Sequence, residues 1–117
     1  MPAQFDLVTF DSPAPDRAAE FWCAVLSLHE SEREDGDRWI VLSDADGRRR
    51  IGLQRGSASP GTVHLDLVCA VREFESEHAR LLACGAAERS PARTEAYGRI
   101  VNLVDPDGNS FDLCCYH

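Results

Sequence analysis

Apolar residues follow two different spacings along the chain, and the order of the two spacings repeats. In the first half, residues 5–10 are predicted to form a strand that is ended by the Pro-containing stretch 11–15, and apolar residues three or four positions apart at 16–28 predict a helix. Residues 38–43 and 49–55 predict a hairpin around an Asp-Ala-Asp-Gly turn. The charged stretch 29–37 has no apolar period, so it is expected to be a loop.

The second half predicts the same elements in the same order. Residues 62–69 alternate strictly, as a strand does, and residues 71–83 have the spacing of a helix. Residues 99–104 and 110–116 predict two further strands joined by a turn. The segment 86–96 is expected to be a loop, part of which could act as a lid.

A duplicated turn supports this repeat. Apolar runs lead into Asp-x-Asp-Gly at Asp44 and again at Asp105. Self-similarity at a long spacing indicates two copies of one structural unit. Because the other ligands of a calcium loop are missing, both motifs are interpreted as turns and not as ion sites.

The predicted fold class is therefore α+β, with two βαβββ modules in tandem whose mixed sheets form a cup and whose helices lie on the outer face. One strand of each module is only partly placed by the pattern. Module one is 4–55, a linker rich in Gly, Ser and Pro is 56–61, and module two is 62–117. We expect a single domain, 1–117, because either half alone would bury only a marginal core. A concave surface between the modules would be a typical small-molecule site.

Composition excludes several classes of partner. The 12 cationic residues are outnumbered by 20 acidic ones, and the formal net charge is −8, so nucleic acid is not expected as a partner. No apolar run approaches the ~20 residues of a membrane helix, and the N-terminus does not resemble a signal peptide. Five cysteines, an odd number, are expected to be reduced thiols in a cytoplasmic protein.

Alternation also assigns the polar residues of the strands to faces. Leu65 and Leu67 should lie against the helix, so His64 and Asp66 should point into the cup. The same rule places Asp112 and Gln54 on the cup face, and Trp39 is a further candidate there. Two interpretations of His64 stay open: a ligand-contacting residue, or a half-buried sheet histidine bonded to Asp66 or to a backbone carbonyl.

Four sequence pieces carry a resemblance to a known family: Phe21-Trp22 with Val25-Leu26, Gly52-Leu53-Gln54, His64-Leu65-Asp66-Leu67 and Asp105-Pro106-Asp107-Gly108-Asn109. With these pieces the chain resembles the vicinal-oxygen-chelate superfamily, in its short glyoxalase-like branch. That superfamily includes glyoxalases, bleomycin-resistance proteins, fosfomycin-resistance enzymes and extradiol dioxygenases. The resemblance covers nearly the whole chain.

The resemblance implies a metal site that is incomplete here. The family's ligand positions correspond to Leu7, Gly52, His64 and Asp112 in this sequence, and this correspondence also places Leu7 in the cup. Only His64 and Asp112 can coordinate a metal through their side chains, and a catalytic site usually has three protein ligands. No cofactor is therefore expected, and a divalent metal on His64 and Asp112 is the alternative.

Three functions remain in competition. The first is a metal-free binding protein of the bleomycin-resistance type, which holds a small molecule, with a cation as one candidate. The ligand would lie in the cup and contact His64, Asp66, Gln54, Asp112, Leu7 and Trp39. The second is a metal-dependent lyase or isomerase of the glyoxalase type. The third is a degenerate interaction module without a small ligand. The resemblance also implies a homodimer, in which the cup of some relatives is completed by both chains.

Overall fold

The computed structural model describes residues 4–61 and 64–117, and the chain in it divides into two compact units after Ala58. This division falls inside the predicted linker, 56–61. Thr62 and Val63, where the fifth strand was expected to begin, lie outside the described residues.

Unit one contains one helix and a four-stranded mixed sheet. The strand order is β1-β4-β3-β2, with β1 parallel to β4 and the other neighbours antiparallel. The elements are β1 (Val8–Ser12), α1 (Pro15–Leu26), β2 (His29–Glu34), β3 (Trp39–Ser43) and β4 (Arg49–Arg55).

Unit two repeats this arrangement within its described residues. Its strand order is β5-β8-β7-β6, again with the first pair parallel and the other pairs antiparallel. The elements are β5 (Leu65–Val68), α2 (Phe74–Cys84), β6 (Ala87–Glu95), β7 (Gly98–Val104) and β8 (Ser110–Tyr116). One 3₁₀ turn, Val71–Glu73, leads into α2.

The predicted fold class, α+β with two βαβββ modules in tandem, is confirmed. The enclosure of a cup by the two sheets stays a prediction. Neither α1 nor α2, the helices of the described residues, has the length and apolar character of a membrane-spanning helix.

Two loop predictions were wrong. The stretch 29–37 contains β2, and the stretch 86–96 consists largely of β6. Both lie at sheet edges, and all six residues of β2 are exposed. Because neither face of β2 is buried, its sequence lacks the alternation by which a half-buried strand is recognised. In β6, Pro91 and two shifts of register obscure the pattern further.

The core of unit one forms between α1 and one face of its sheet. Trp22 is fully buried, stacks on Phe10 with ring centroids 5.7 Å apart, and meets Phe21 edge-on at 5.0 Å. The predicted packing role of Trp22 is confirmed. Because neighbouring strand residues point to opposite faces, Thr9 lies on the side of the sheet away from α1.

Unit two is built in the same way around α2. Phe74 and Leu81 of the helix are buried, as are Phe111 and Leu113 of β8. The helix ends at Gly85, whose φ of 117° lies in the region that glycine adopts readily. The face of β8 opposite this core is therefore the one that carries Asp112.

Candidate functional site

Pairing between β5 and β8 brings two carboxylates side by side. The strands are parallel, and Asp66 is the register partner of Asp112. Leu65 is half-buried, and Phe111 and Leu113 are buried, so alternation turns both aspartates to the sheet face away from α2. The predicted orientation of Asp66 and Asp112 follows from this register.

His64 completes a cluster with these two aspartates. Its Nε2 lies 3.4 Å from Asp66 Oδ1 and 3.5 Å from Asp112 Oδ2. One ligand atom from each of the three residues falls within 4.8 Å of the other two. The imidazole therefore sits between two carboxylates, whose negative charge attracts a metal ion or an organic cation.

The two carboxylates differ in their exposure to solvent. The Asp112 side chain is 11% exposed, whereas the Asp66 side chain is 65% exposed. A buried carboxylate needs hydrogen bonds or an opposite charge to compensate for lost hydration. For Asp112 the compensation comes from Asn102, whose Nδ2 donates to Asp112 Oδ1 at 2.7 Å.

Asn102 is hydrogen-bonded to Arg93 as well as to Asp112. Arg93 donates from Nη1 to Asn102 Oδ1 at 2.7 Å and from Nε to Glu95 Oε1 at 3.0 Å. Neither Asn102 nor Arg93 was identified from the sequence. The sequence does carry a signal for Asn102, which is a polar residue within the apolar run of β7. It carries none for Arg93, which lies in the segment predicted as a loop.

The same sheet face continues from the acidic cluster into apolar side chains. Next to the aspartates, Val68 pairs with Cys114 and Cys114 pairs with Ile100. Burial, reinforced by the nearby carboxylates of Asp112 and then Asp66, raises the pKa of the Cys114 thiol. Further along, the rings of Tyr97 and Tyr116 lie 5.8 Å apart, and both are exposed.

The other three predicted ligand contacts lie in unit one. Trp39 and Gln54 are register partners across β3 and β4, and Leu7 directly precedes β1. Gln54 is exposed, while Trp39 and Leu7 are half-buried. Their participation in a ligand site together with His64 stays a prediction.

Gly52, which the resemblance assigns to the family's second ligand position, is covered by an aromatic ring. A Cβ on this glycine would overlap the ring atoms of Trp39 and would come within 3.0 Å of Thr9 Oγ1. The space that a ligating side chain would need is thus filled by Trp39. This position supplies no metal donor.

The donor set of unit two fits a divalent cation. One imidazole nitrogen and two carboxylates are donors that Mn²⁺, Fe²⁺ and Zn²⁺ accept, and three protein donors leave coordination positions for other molecules. Asn102 occupies one oxygen of Asp112, so the other oxygen remains directed toward His64. His64, Asp66 and Asp112 are the residues that would hold the ion.

Comparison with known proteins agrees with the fold and with the repeat. The sequence profile described as the glyoxalase-like domain matches residues 7–114. The chain belongs to this family. The family and the structures most similar to it lie in the vicinal-oxygen-chelate superfamily, so the predicted resemblance is confirmed. No curated protein matches this glyoxalase-like chain significantly.

Three solved structures illustrate the range of this fold. A glyoxalase/bleomycin resistance protein/dioxygenase family enzyme from Burkholderia phytofirmans PsJN has 17% identity and a TM-score of 0.81, with 98% of this chain and 100% of that chain covered. The E126Q mutant of the fosfomycin resistance protein FosX from Listeria monocytogenes, complexed with Mn(II) and 1S,2S-dihydroxypropylphosphonic acid, has 19% identity and a TM-score of 0.77, with 97% and 90% covered. TnmS3, an antibiotic binding protein from Streptomyces sp. CB03234, has 20% identity and a TM-score of 0.72, with 99% and 98% covered.

Proposed function

We propose that this protein binds a small molecule at the face of its second sheet that carries Asp112, with a divalent cation held by His64, Asp66 and Asp112. The observation that supports this proposal most directly is that one ligand atom from each of these three residues lies within 4.8 Å of the other two. The sequence alone suggested two metal ligands, His64 and Asp112. Asp66, which the sequence placed only among the ligand contacts, supplies the third donor.

A bound cation would act on ligands that carry oxygen atoms. A divalent metal polarises the oxygens it binds as a Lewis acid and orients the molecule that carries them. The chain's own residues would contribute the remaining contacts: the exposed side chain of Val68 and the exposed ring of Tyr116. Such a mixture of few polar groups with apolar surface is typical of small-molecule sites.

Two of the similar structures support this proposal. The FosX mutant contains Mn(II) together with an oxygen-rich phosphonic acid, and TnmS3 is an antibiotic binding protein. The formal charge of −8 adds a general attraction for cations, metal or organic. An organic cation paired directly with Asp66 and Asp112 is the metal-free form of the same proposal.

A metal-dependent lyase or isomerase is the second candidate. It is favoured by the number of donors, because three protein ligands with open positions is the usual arrangement of a catalytic metal. Turnover that requires added metal and is lost in Asp66→Asn would support this candidate. Metal-dependent binding without turnover across aldehyde and epoxide substrates would favour the binding protein.

Titration with Mn²⁺ tests the proposal directly. We expect about one ion per chain by calorimetry, with binding lost in His64→Ala because the nitrogen donor is removed. His29→Ala, which removes an exposed histidine of β2, is the matched control and should leave the affinity unchanged. The same titration is repeated with Fe²⁺ and Zn²⁺; if the wild-type protein neither binds any of the three ions nor melts at a higher temperature with them, the metal site is contradicted and the metal-free form is left.

We also propose that the protein is a homodimer, as the family resemblance implies. Gel filtration with light scattering measures the mass directly, and a monomer of 12.9 kDa would contradict the proposal. Leu7, Trp39 and Gln54 stay proposed ligand contacts of module one. Weaker ligand binding by Gln54→Ala, with unchanged Mn²⁺ affinity, would support that assignment.

A further inference from the structure

The carboxylate of Asp112 is fixed from behind by a chain of hydrogen bonds. Asn102 is the register partner of Asp112 across β7 and β8, and their residues are 7% and 8% exposed. Asn102 Nδ2 donates to Asp112 Oδ1 at 2.7 Å, while Asp112 Oδ2 faces His64 Nε2 at 3.5 Å. The two oxygens of one carboxylate therefore have different partners.

The direction of the Asn102 side chain is set by Arg93. A guanidinium has only donors, so the amide oxygen must face it, and the amide NH₂ must then face the carboxylate. In the flipped orientation the amide NH₂ would meet the Arg93 donor and the amide oxygen would meet Asp112. Both contacts would be repulsive, so Arg93 selects the orientation in which Asn102 donates to Asp112.

We propose that Arg93 and Asn102 are positioning residues that leave one oxygen of Asp112 free toward His64 and so prepare it as a ligand. This inference rests on the proposed metal site and extends it to two residues that do not touch the ion. Groups that orient metal ligands through hydrogen bonds typically change metal affinity about 10- to 100-fold when they are removed.

The direction in which metal affinity changes when Arg93 is removed distinguishes a positioning role from a purely electrostatic one. Arg93 carries a positive charge, so as a bystander it would repel a divalent cation, and removing it would tighten metal binding. As a positioning residue, its removal loosens Asp112 and weakens metal binding. The two roles therefore predict opposite changes.

The experiment compares Mn²⁺ affinity in three variants of exposed arginines of β6. Arg93→Ala is expected to weaken binding about tenfold, and Arg93→Lys, which keeps a charged donor, should recover most of the affinity. Arg89→Ala removes the same charge from the same strand and measures the electrostatic effect alone. Affinity in Arg93→Ala equal to or tighter than in Arg89→Ala would overturn the proposal.

A second readout needs no metal. In the metal-free protein, NMR should show the two Asn102 side-chain amide protons well separated, with one of them protected from exchange because it donates to the buried carboxylate of Asp112. Arg93→Ala should remove that protection while the melting temperature changes little. Unchanged Asn102 signals in Arg93→Ala would overturn the positioning role even if the wild-type protein binds Mn²⁺. If Arg93→Ala loses the protection but the wild-type protein binds no Mn²⁺, only the metal site is contradicted.

Discussion

At the scale of single residues, Gly52 and Trp39 explain why one ligand position that the resemblance assigns to module one carries no side-chain donor. The family position is a glycine here, and the indole of Trp39 lies over it beside Thr9. The sequence indicated the missing donor, because glycine has no side chain. It could not indicate what fills the space, since that depends on the rotamer of a residue on the neighbouring strand.

Gly52→Ala should displace the Trp39 ring. The added Cβ would overlap the indole, and overpacking of this kind costs about 1–3 kcal/mol of the free energy of unfolding. Urea unfolding measures the loss, and a double-mutant cycle assigns it. In a Trp39→Ala background the alanine should be tolerated, and an equal loss in both backgrounds would show that the ring is not the obstacle.

Cysteine reactivity offers a second test at this scale. Burial is the main cause that raises the pKa of Cys23, Cys69 and Cys114 above the ordinary value of 9.0. A raised pKa leaves less thiolate at a given pH, and the thiolate is the reactive form. At pH 8, iodoacetamide should therefore modify these three thiols more slowly in the folded protein than in urea. Equal rates by mass spectrometry would contradict the burial.

At the scale of elements, the two Asp-x-Asp-Gly turns are built alike. Asp44 Oδ1 accepts from the backbone N–H of Asp46 at 3.0 Å and of Arg48 at 2.9 Å. Asp105 Oδ1 accepts from the N–H groups two and four residues further on, at 3.0 and 2.7 Å. The sequence-based interpretation of both motifs as turns agrees with this geometry.

The two turns should differ in their contribution to stability. Asp105 is 3% exposed and also accepts from Asn109 Nδ2, so Asp105→Ala leaves buried donors without a partner and should cost about 1–3 kcal/mol. Asp44→Ala, in the more exposed turn, should cost less. Thermal unfolding compares the two, with Asp105→Asn as the intermediate case. An equal loss from both would mean that burial of the second turn adds nothing.

The Asp44 turn should also respond to acid. The backbone N–H of Arg48 and, less strongly, the Arg50 guanidinium hold the pKa of Asp44 below its ordinary value of 3.8. A group whose pKa is lowered on folding stabilises the protein above the unfolded pKa, and that contribution disappears as the pH falls through the folded pKa. The stability difference between wild type and Asp44→Ala should therefore be present at pH 6 and shrink near pH 3. A difference that is independent of pH would contradict this assignment.

The pattern along the chain predicted elements according to how they are buried. Helices with one buried stripe and strands with at least one buried face were found within a few residues of their observed bounds, as at 110–116, where both faces are largely buried. The edge strands β2 and β6 were missed because no face of theirs is regularly buried. For the same reason the pattern indicated only part of the candidate site: alternation predicted that Asp66 and Asp112 share a face, but Arg93 lies on a strand that the pattern did not reveal.

At the scale of the whole molecule, the donors of the proposed metal site are confined to unit two. His64, Asp66 and Asp112 all follow the division after Ala58. A ligand stabilises the part of a protein that binds it, by about 2.7 kcal/mol when present at a hundredfold excess over its Kd. The effect of the metal should therefore be uneven along the chain.

Hydrogen exchange with and without Mn²⁺ tests this confinement. Amides of β5, β7 and β8 should exchange more slowly with the ion, while those of β3 and β4 should change little. His64→Ala should abolish the difference. Equal protection of both units would mean that the ion also engages residues before Ala58, and it would contradict a site supplied by unit two alone.

The edge strands carry one further consequence, for aggregation in concentrated solution. An open sheet edge attracts foreign strands, because its unpaired backbone groups can template a growing fibril. Here β2 presents His-Glu-Ser-Glu-Arg-Glu, and β6 interrupts its own edge with Pro91, which has no N–H to donate. The edges formed by β2 and β6 are therefore poor templates for pairing with another chain. The charged residues and the proline that made both segments resemble loops in the sequence are the same residues that disfavour such pairing.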